Sequence, residues 1–300
     1  MSGDRATVAI LTGTMDRFPR HRYLVKFMIP RWEAMGFRVA IVTEEDEDTF
    51  VPADIALLHM DVSVISEAGR RLVQSYPRVI NGDVLDIRKR RFSRLLVDRN
   101  GPDPGSVIVK SDWNCGGRRD FRRQFLDSRL GAFLHRLNLD RIAWRWLAWF
   151  EEKRSWGKRR CLSSGNYAVY ASRDFVPAGV WKNPNLVVER FVVEREGQYY
   201  CCRHWLFCGN REVSRRTLST TPVVKMGEKI ESLSDPVPEE LRAIREQLRF
   251  DYGKFDYGIV DGKVFLYDAN RTPGASPIAH CHDETVNVLS EGLRTFLVNA

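Results

Sequence analysis

Between Lys254 and Gly274 the chain reads Lys-Phe-Asp-Tyr-Gly, a short apolar run, Asp261-Gly262, a second apolar run, and Asp-Ala-Asn-Arg-Thr-Pro-Gly. An Asp-Gly pair supplies the positive φ angles of a tight hairpin turn, so the spacing predicts two antiparallel strands over Phe255 to Val260 and Val264 to Asp268. Side chains alternate across a strand, which places Asp268 and Asn270 on one face and lets Asp256 join them from the partner strand. Three oxygen donors then converge, and hard oxygen ligands with open coordination positions suit Mg²⁺ carrying nucleotide phosphates. Any one of these acids alone is equally well a strand-end or turn residue. The three together on a hairpin are harder to explain that way.

This pattern resembles the ATP-grasp superfamily, in particular its D-alanine–D-alanine ligase-type carboxylate–amine ligases. In that family a basic residue and an Asp two positions on precede a hairpin ending in Glu-x-Asn-x-x-Pro-Gly. The resemblance implies Asp256, Asp268 and Asn270 as Mg²⁺ ligands, with Asp268 standing where Glu is usual. It implies Lys254 as the cation on the transferring phosphoryl group, Arg271 as a second catalytic cation, and Gly274 to Ser276 as a turn near the acceptor.

Upstream segments fall in the family's order. Val107 to Lys110 reads as a buried strand ending in a lysine, followed by a loop with Asn114, Gly116 and Gly117. The resemblance implies phosphate contact by Lys110 and by an earlier lysine, Lys89, and a glycine loop whose bare N–H groups approach the anion. A lysine at a strand end is by itself ordinarily solvated. In Val187 to Glu194, the resemblance implies that Glu189 accepts from the adenine amino group. It likewise implies that the backbone of Arg190 to Val192, Phe191 included, reads the adenine edge and that Glu194 binds the ribose hydroxyls. Read without it, Glu189 and Glu194 are outward-facing strand residues.

Periodicity fills in the remainder. Thr7 to Leu11 reads as a buried strand, Arg20 to Met35 as a helix ended by Gly36, and Arg38 to Val42 as a strand. Ala53 to Met60 reads as another strand and Val62 to Ser75 as a helix, so the amino-terminal part is a small α/β unit with a parallel sheet. The expected organisation is α/β (α+β): a pre-ATP-grasp domain over 1–80 and an ATP-grasp domain of two lobes over 81–300. A basic helix is expected over Asp86 to Leu96 and an aromatic-rich helical stretch over Phe121 to Lys153, with Trp144, Trp146 and Trp149 as packing residues. Strands are expected over Leu186 to Val193, Tyr199 to Phe207 and Glu212 to Thr217, and a charged amphipathic helix over Pro238 to Leu248.

At 300 residues, 43% hydrophobic and 29% charged, the chain has a globular composition. No export signal is visible and no stretch approaches the roughly 18 uncharged residues of a membrane span, so a cytoplasmic protein without a membrane partner is expected. Six cysteines without a C-x-x-C pair read as reduced thiols, and no metal is assigned to Cys201 or Cys202. The net charge of +8 is concentrated in two arginine clusters, around Arg88 to Arg94 and Arg118 to Arg129.

The function expected is Mg-ATP-dependent activation of a carboxylate as an acyl phosphate, captured by an amine, on a small-molecule or peptide substrate. The arginines, Arg203 and Arg271 included, favour an anionic one. Two alternatives stay open: phosphotransfer to a hydroxyl on the same site, and a basic nucleic-acid or partner-binding protein. Against nucleic acid, the basic clusters lack the aromatic interleaving of stacking platforms. A homodimer is left open.

Overall fold

The computed structural model describes residues 5–16, 18, 20–44, 50–163, 165, 167–224, 229–233, 236–275 and 279–297. In chain order the strands are β1 Thr7–Thr12, β2 Arg38–Thr43, β3 Ile55–Leu58, β4 Val79–Ile80, β5 Val107–Ser111, β6 Ala168–Tyr170, β7 Leu186–Arg190, β8 Glu194–Glu196, β9 Tyr199–Cys208, β10 Arg211–Ser219, β11 Lys229–Ser232, β12 Tyr252–Val260 and β13 Lys263–Asn270. The helices are α1 Leu24–Ala34, α2 Glu67–Gln74, α3 Lys89–Phe92, α4 Arg118–Leu126, α5 Arg129–Arg136, α6 Asp140–Lys153, α7 Ala178–Trp181, α8 Glu239–Gln247 and α9 Ala279–Glu291. The architecture is mixed α/β, with one parallel sheet and two antiparallel ones.

Contacts divide the chain into two units, the first comprising 1–61, 65–85 and 194–300, the second 62–64 and 86–193. Residues 1–80 thus lie almost wholly in the same unit as the carboxyl-terminal third. In the first unit β2-β1-β3-β4 form a parallel sheet. β1 is buried along its whole length, as its uninterrupted apolar run requires of a central parallel strand. α1 covers this sheet with Leu24, Val25, Met28 and Trp32, a spacing that puts all four on one face. The helix begins at Leu24 rather than Arg20 and ends at Gly36, whose φ of 97° only glycine adopts without strain.

The same core takes in Leu206, Cys208 and Tyr252 from the antiparallel sheet and Val286 and Leu289 from α9. Trp32 spans them, its indole N–H donating to Ser290 O at 3.0 Å. Truncating Trp32 to Ala would cost about 3–5 kcal/mol, the usual cost of deleting a buried aromatic. Asn81 closes the arrangement: its Nδ2 donates to Tyr252 O at 2.7 Å, and its Oδ1 accepts from Asp251 N at 2.9 Å.

The antiparallel sheet runs β11-β10-β9-β12-β13, with β8 also on β9. One face is an aromatic layer of Trp205, Phe207 and Phe255, with Phe250 edge-on and Arg245 stacked 4.1 Å over Phe207. The other carries the chemistry described below.

The second unit is a three-stranded sheet, β6-β5-β7, with Val107, Val109, Val176, Leu186 and Val188 in its core. Here two sequence expectations are corrected. The helix expected over Asp86 to Leu96 is only the single turn of α3. The Asp86 carboxylate instead takes Arg88 at 2.6 Å and Arg91 at 3.0 Å, and Ser93 leaves the helical region with ψ of 123°. The helical stretch exists as α4, α5 and α6, but only Trp144 packs inward, its ring 5.2 Å from Phe121. Trp146 and Trp149 are 61% and 46% exposed. The expectation failed because α6 is apolar on two faces, and periodicity alone cannot say which face a core needs.

Candidate nucleotide and metal site

The hairpin forms as its turn dictates. Asp261 and Gly262, with φ of 51° and 73°, link β12 to β13. In its register Asp256 stands opposite Asp268 and Lys254 opposite Asn270, so the four side chains share one sheet face. Between Asp256 and Tyr257 the register shifts by a bulge. Bulges twist a strand and re-aim its side chains, and this one sits beside the paired acids.

The face extends onto β9, where His204 stands opposite Asp256. His204 Nδ1 lies 2.6 Å from Asp256 Oδ1, and Nε2 lies 2.8 Å from the hydroxyl of Thr217 on β10. Nδ1 donates to the carboxylate, and Nε2 pairs with the hydroxyl. Lys254 Nζ is 2.9 Å from the same Asp256 oxygen. Burial alone would push the Asp256 carboxyl up; Lys254 and His204 overcome it and hold the group well below the ordinary carboxylate range. Burial likewise pulls the Lys254 ammonium down, and Asp256 outweighs it and raises it. Asp256 is therefore a fixed carboxylate and Lys254 a fixed cation.

Asn270 Oδ1 accepts from Thr272 N at 2.9 Å and from its hydroxyl at 3.2 Å, which orients the amide. Gly274 and Ala275 follow in a segment bridged to Tyr23 and bonded to Arg22 O, while Ser276 lies outside the described residues. Arg271 points away from the four-residue face. It is fully buried and donates to Met60 O at 3.1 Å and Val84 O at 2.6 Å, so its charge is held by carbonyls of the first unit's core. Glu194 is also engaged, accepting Arg203 through both oxygens at 2.7–2.9 Å and Ile259 N at 2.8 Å.

In the second unit β5 pairs with β7, and Lys110 Nζ meets Glu189 Oε2 at 2.7 Å. Glu189 has no exposed surface, so the lysine is its balancing charge. The N–H groups of Arg190 and Phe191 donate to Leu95 O and Ser106 O at 2.7 and 2.8 Å, and Val192 follows, half-buried. Lys89 opens α3, is 3% exposed, and its N–H donates to Asp112 O.

The glycine loop is a tight turn over Asn114–Gly117, with Cys115, Gly116 and Gly117 all at positive φ, of 49°, 71° and 77°. Both glycines are buried. A Cβ on Gly116 would lie 2.3 Å from Leu162 O, and Gly116 O accepts from Leu162 N at 2.8 Å. Asn114 N donates to Ser63 Oγ at 2.7 Å. The glycines are therefore accounted for by close backbone packing within the second unit.

The structure brings Lys254, Asp256, Asp268 and Asn270 together as the sequence predicts, and it pairs Lys110 with Glu189. His204 was not anticipated. Its one sequence signal is the Cys-x-His step of Cys202 and His204, which on a strand puts both on one face, and their ligand atoms lie with Asp256's within 4.8 Å of one another.

No family model matches this chain, and no curated protein does. Solved structures do resemble it. The RimK-domain ATP-grasp protein of Sphaerobacter thermophilus is 12% identical, with 97% of this chain and 100% of that one covered and a TM-score of 0.49. The likeness is to ATP-grasp proteins. D-alanine–D-alanine ligase of Bacillus anthracis is 10% identical, covering 98% and 96% of the two chains with a TM-score of 0.48. An ATP-grasp ligase of Chryseobacterium gregarium, associated with ribosomally made modified peptides and solved with ADP and a leader and core peptide, is 9% identical, covering 98% and 97% with a TM-score of 0.47.

Proposed function

We propose that this protein binds Mg-ATP and activates a carboxylate as an acyl phosphate for capture by an amine. The observation that carries the reading is the shared face of Lys254, Asp256, Asp268 and Asn270, fixed by the β12–β13 register. The donor set fits magnesium. Two carboxylates and an amide oxygen are hard ligands, and Asp256 is held ionised by its neighbours. Held there by Asp256, Asp268 and Asn270, the ion would supply positive charge to neutralise the phosphates.

The chain's own residues supply the rest. Lys254 places a positive charge against the moving phosphoryl group, where charge develops in the transition state. His204 holds Asp256 in one rotamer. A carboxylate attacks the γ-phosphorus, ADP leaves, and an amine displaces phosphate from the acyl phosphate. No protein nucleophile is consumed. The substrate is proposed to be anionic, a small acid or a peptide.

The test is product analysis with ATP, Mg²⁺ and a panel of carboxylates and amines. The reading requires ADP and phosphate in equal amounts, together with an amide. ADP with a phosphorylated alcohol and no free phosphate would make the protein a kinase on the same site. No nucleotide turnover and no nucleotide binding would sink both.

A further inference from the structure

From Arg118 to Arg160 the sequence carries thirteen Arg and Lys against five Asp and Glu, a net of eight, which equals the net charge of the whole chain. The acids of this segment are largely turned inward. Asp120 accepts from Ser63, Asp140 lies 3.6 Å from Arg122, and Glu151 takes Arg154 and Arg160 at 3.1 Å, all three being buried. Arg129, Arg136, Arg141, Arg145 and Lys153 are exposed.

The same segment holds eight of the thirteen large apolar side chains that are exposed among the described residues, six of them on α5 and α6 and two, Leu137 and Leu139, in the connection between those helices. On α5 they include Leu130 and Phe133; on α6 they are Ile142, Trp146, Trp149 and Phe150, spaced i, i+4, i+7 and i+8 and so on a single stripe. The opposite side of α6, with Trp144 and Ala148, already serves the core of the second unit. The outer stripe therefore has no packing role in this unit. Its flanks are Arg141 and Arg145, and Lys153 lies 3.7 Å over the Trp149 ring. A cleft of about 810 Å³ runs beside it, walled by Trp144, Trp146 and Trp149 and edged by Arg118 and Arg145.

We infer that the outer face of α5 and α6 docks on an anionic lipid bilayer, with the tryptophans and phenylalanines seated at the headgroup–acyl boundary and the arginines on lipid phosphates. A helix with Arg and Lys beside a stripe of Trp, Phe and Leu lies in the membrane interface, its apolar side sunk a few ångströms. The 14 residues of α6 span only about 21 Å, and no helix among the described residues is long and apolar enough to cross a bilayer. The absence of a span, which led the sequence reading to expect no membrane partner, has no bearing on surface docking.

Charge selects this occupant over others. A second copy would bring the same positive excess against itself. Nucleic acid satisfies the arginines but offers no hydrocarbon for Leu130 or Ile142, since bases stack on aromatic rings and not on branched aliphatics. An anionic lipid offers phosphate beside hydrocarbon, in the order in which this face presents arginine beside tryptophan.

The full chain is tested by co-sedimentation with vesicles of phosphatidylglycerol and phosphatidylcholine in equal parts, and with phosphatidylcholine alone. Binding to the anionic vesicles about tenfold tighter than to the neutral ones is expected, with a blue shift of tryptophan emission. The variant Trp146→Ser/Trp149→Ser/Phe150→Ser should lose about tenfold in partitioning at an unchanged melting temperature, because all three side chains are exposed. Should that variant misfold, Arg141→Glu/Arg145→Glu reads the same face through charge and should lose at least as much. Failure of the wild type to sediment with anionic vesicles overturns the proposal. So does equal partitioning of wild type and variants, or binding without an emission shift, which would mean adsorption by charge alone. A blue shift of tryptophan emission with poly-glutamate alone, equal to that with anionic vesicles, would also overturn it, in favour of an acidic polypeptide partner.

Discussion

Asp268→Asn and Asn270→Ala should abolish turnover; the first should leave the melting temperature close to that of the wild type, since it removes one oxygen donor from a half-buried sheet face and no core volume, while the second also strands the buried Thr272 N–H and should cost about 1 kcal/mol. Calorimetry of both variants without ligand checks this, and a large fall in either would make the residue structural. Lys110 behaves differently because it neutralises Glu189. Lys110→Ala strands a carboxylate with no exposed surface and should cost about 3–5 kcal/mol, whereas Lys110→Met with Glu189→Gln should recover much of it. Denaturant melts arranged as a double-mutant cycle read the coupling, and additive losses would contradict a mutually dependent pair. Thiol chemistry gives a further residue-scale check. Burial pushes the Cys201 and Cys208 thiols up to about 12, while Cys115 is exposed. Iodoacetamide at mildly alkaline pH should therefore label Cys115 first, and mass spectrometry showing Cys201 or Cys208 modified ahead of it would contradict the packing of β9.

Among the elements, the β12–β13 hairpin was legible because its signals are local: an Asp-Gly turn, alternating apolar residues, and donors two positions apart. β1, β5, β7, β9 and α8 were legible for the same reason. What sequence could not supply was partnership across strands. His204 lies 52 residues from Asp256 in sequence and meets it only because β9 pairs with β12. Arg271, adjacent to a proposed metal ligand, was read as catalytic because nothing local shows that Met60 and Val84 carbonyls await it. The glycines of the loop after β5 were read as phosphate-binding; their positive φ and close contacts are a separate reason for glycine that the sequence does not display. That distinction can be measured. Gly116→Ala forces both a left-handed φ and a Cβ against Leu162 O, while at Gly262, with φ of 73°, nothing lies within 4 Å of the added carbon. Gly262→Ala should cost only the strain of about 1–2 kcal/mol, and Gly116→Ala clearly more. Equal losses in chemical denaturation would mean that the second unit relaxes around Leu162.

At the scale of the whole molecule, ligand linkage joins the proposed site to global stability. A ligand that binds only the folded chain raises its unfolding free energy by RT ln(1 + [L]/Kd), about 2.7 kcal/mol at a hundredfold excess over Kd. Mg-ATP should therefore raise the melting temperature of the wild type, and a saturating excess of EDTA should remove most of that gain, because the ion and the phosphates bind together. His204→Phe is the informative companion. The Asp256 carboxyl is held down by Lys254 and His204 together, so losing the imidazole leaves the carboxylate ionised by Lys254 but no longer fixed from the β9 side. Mg-ATP should then stabilise the variant less than the wild type, and more Mg²⁺ should restore part of the difference, while ATP without metal should affect the two proteins equally. If His204→Phe instead weakens metal-free nucleotide binding, the imidazole contacts the nucleotide itself. If Mg²⁺ makes no difference to ATP stabilisation in either protein, the face built by Lys254, Asp256, Asp268 and Asn270 does not hold the ion.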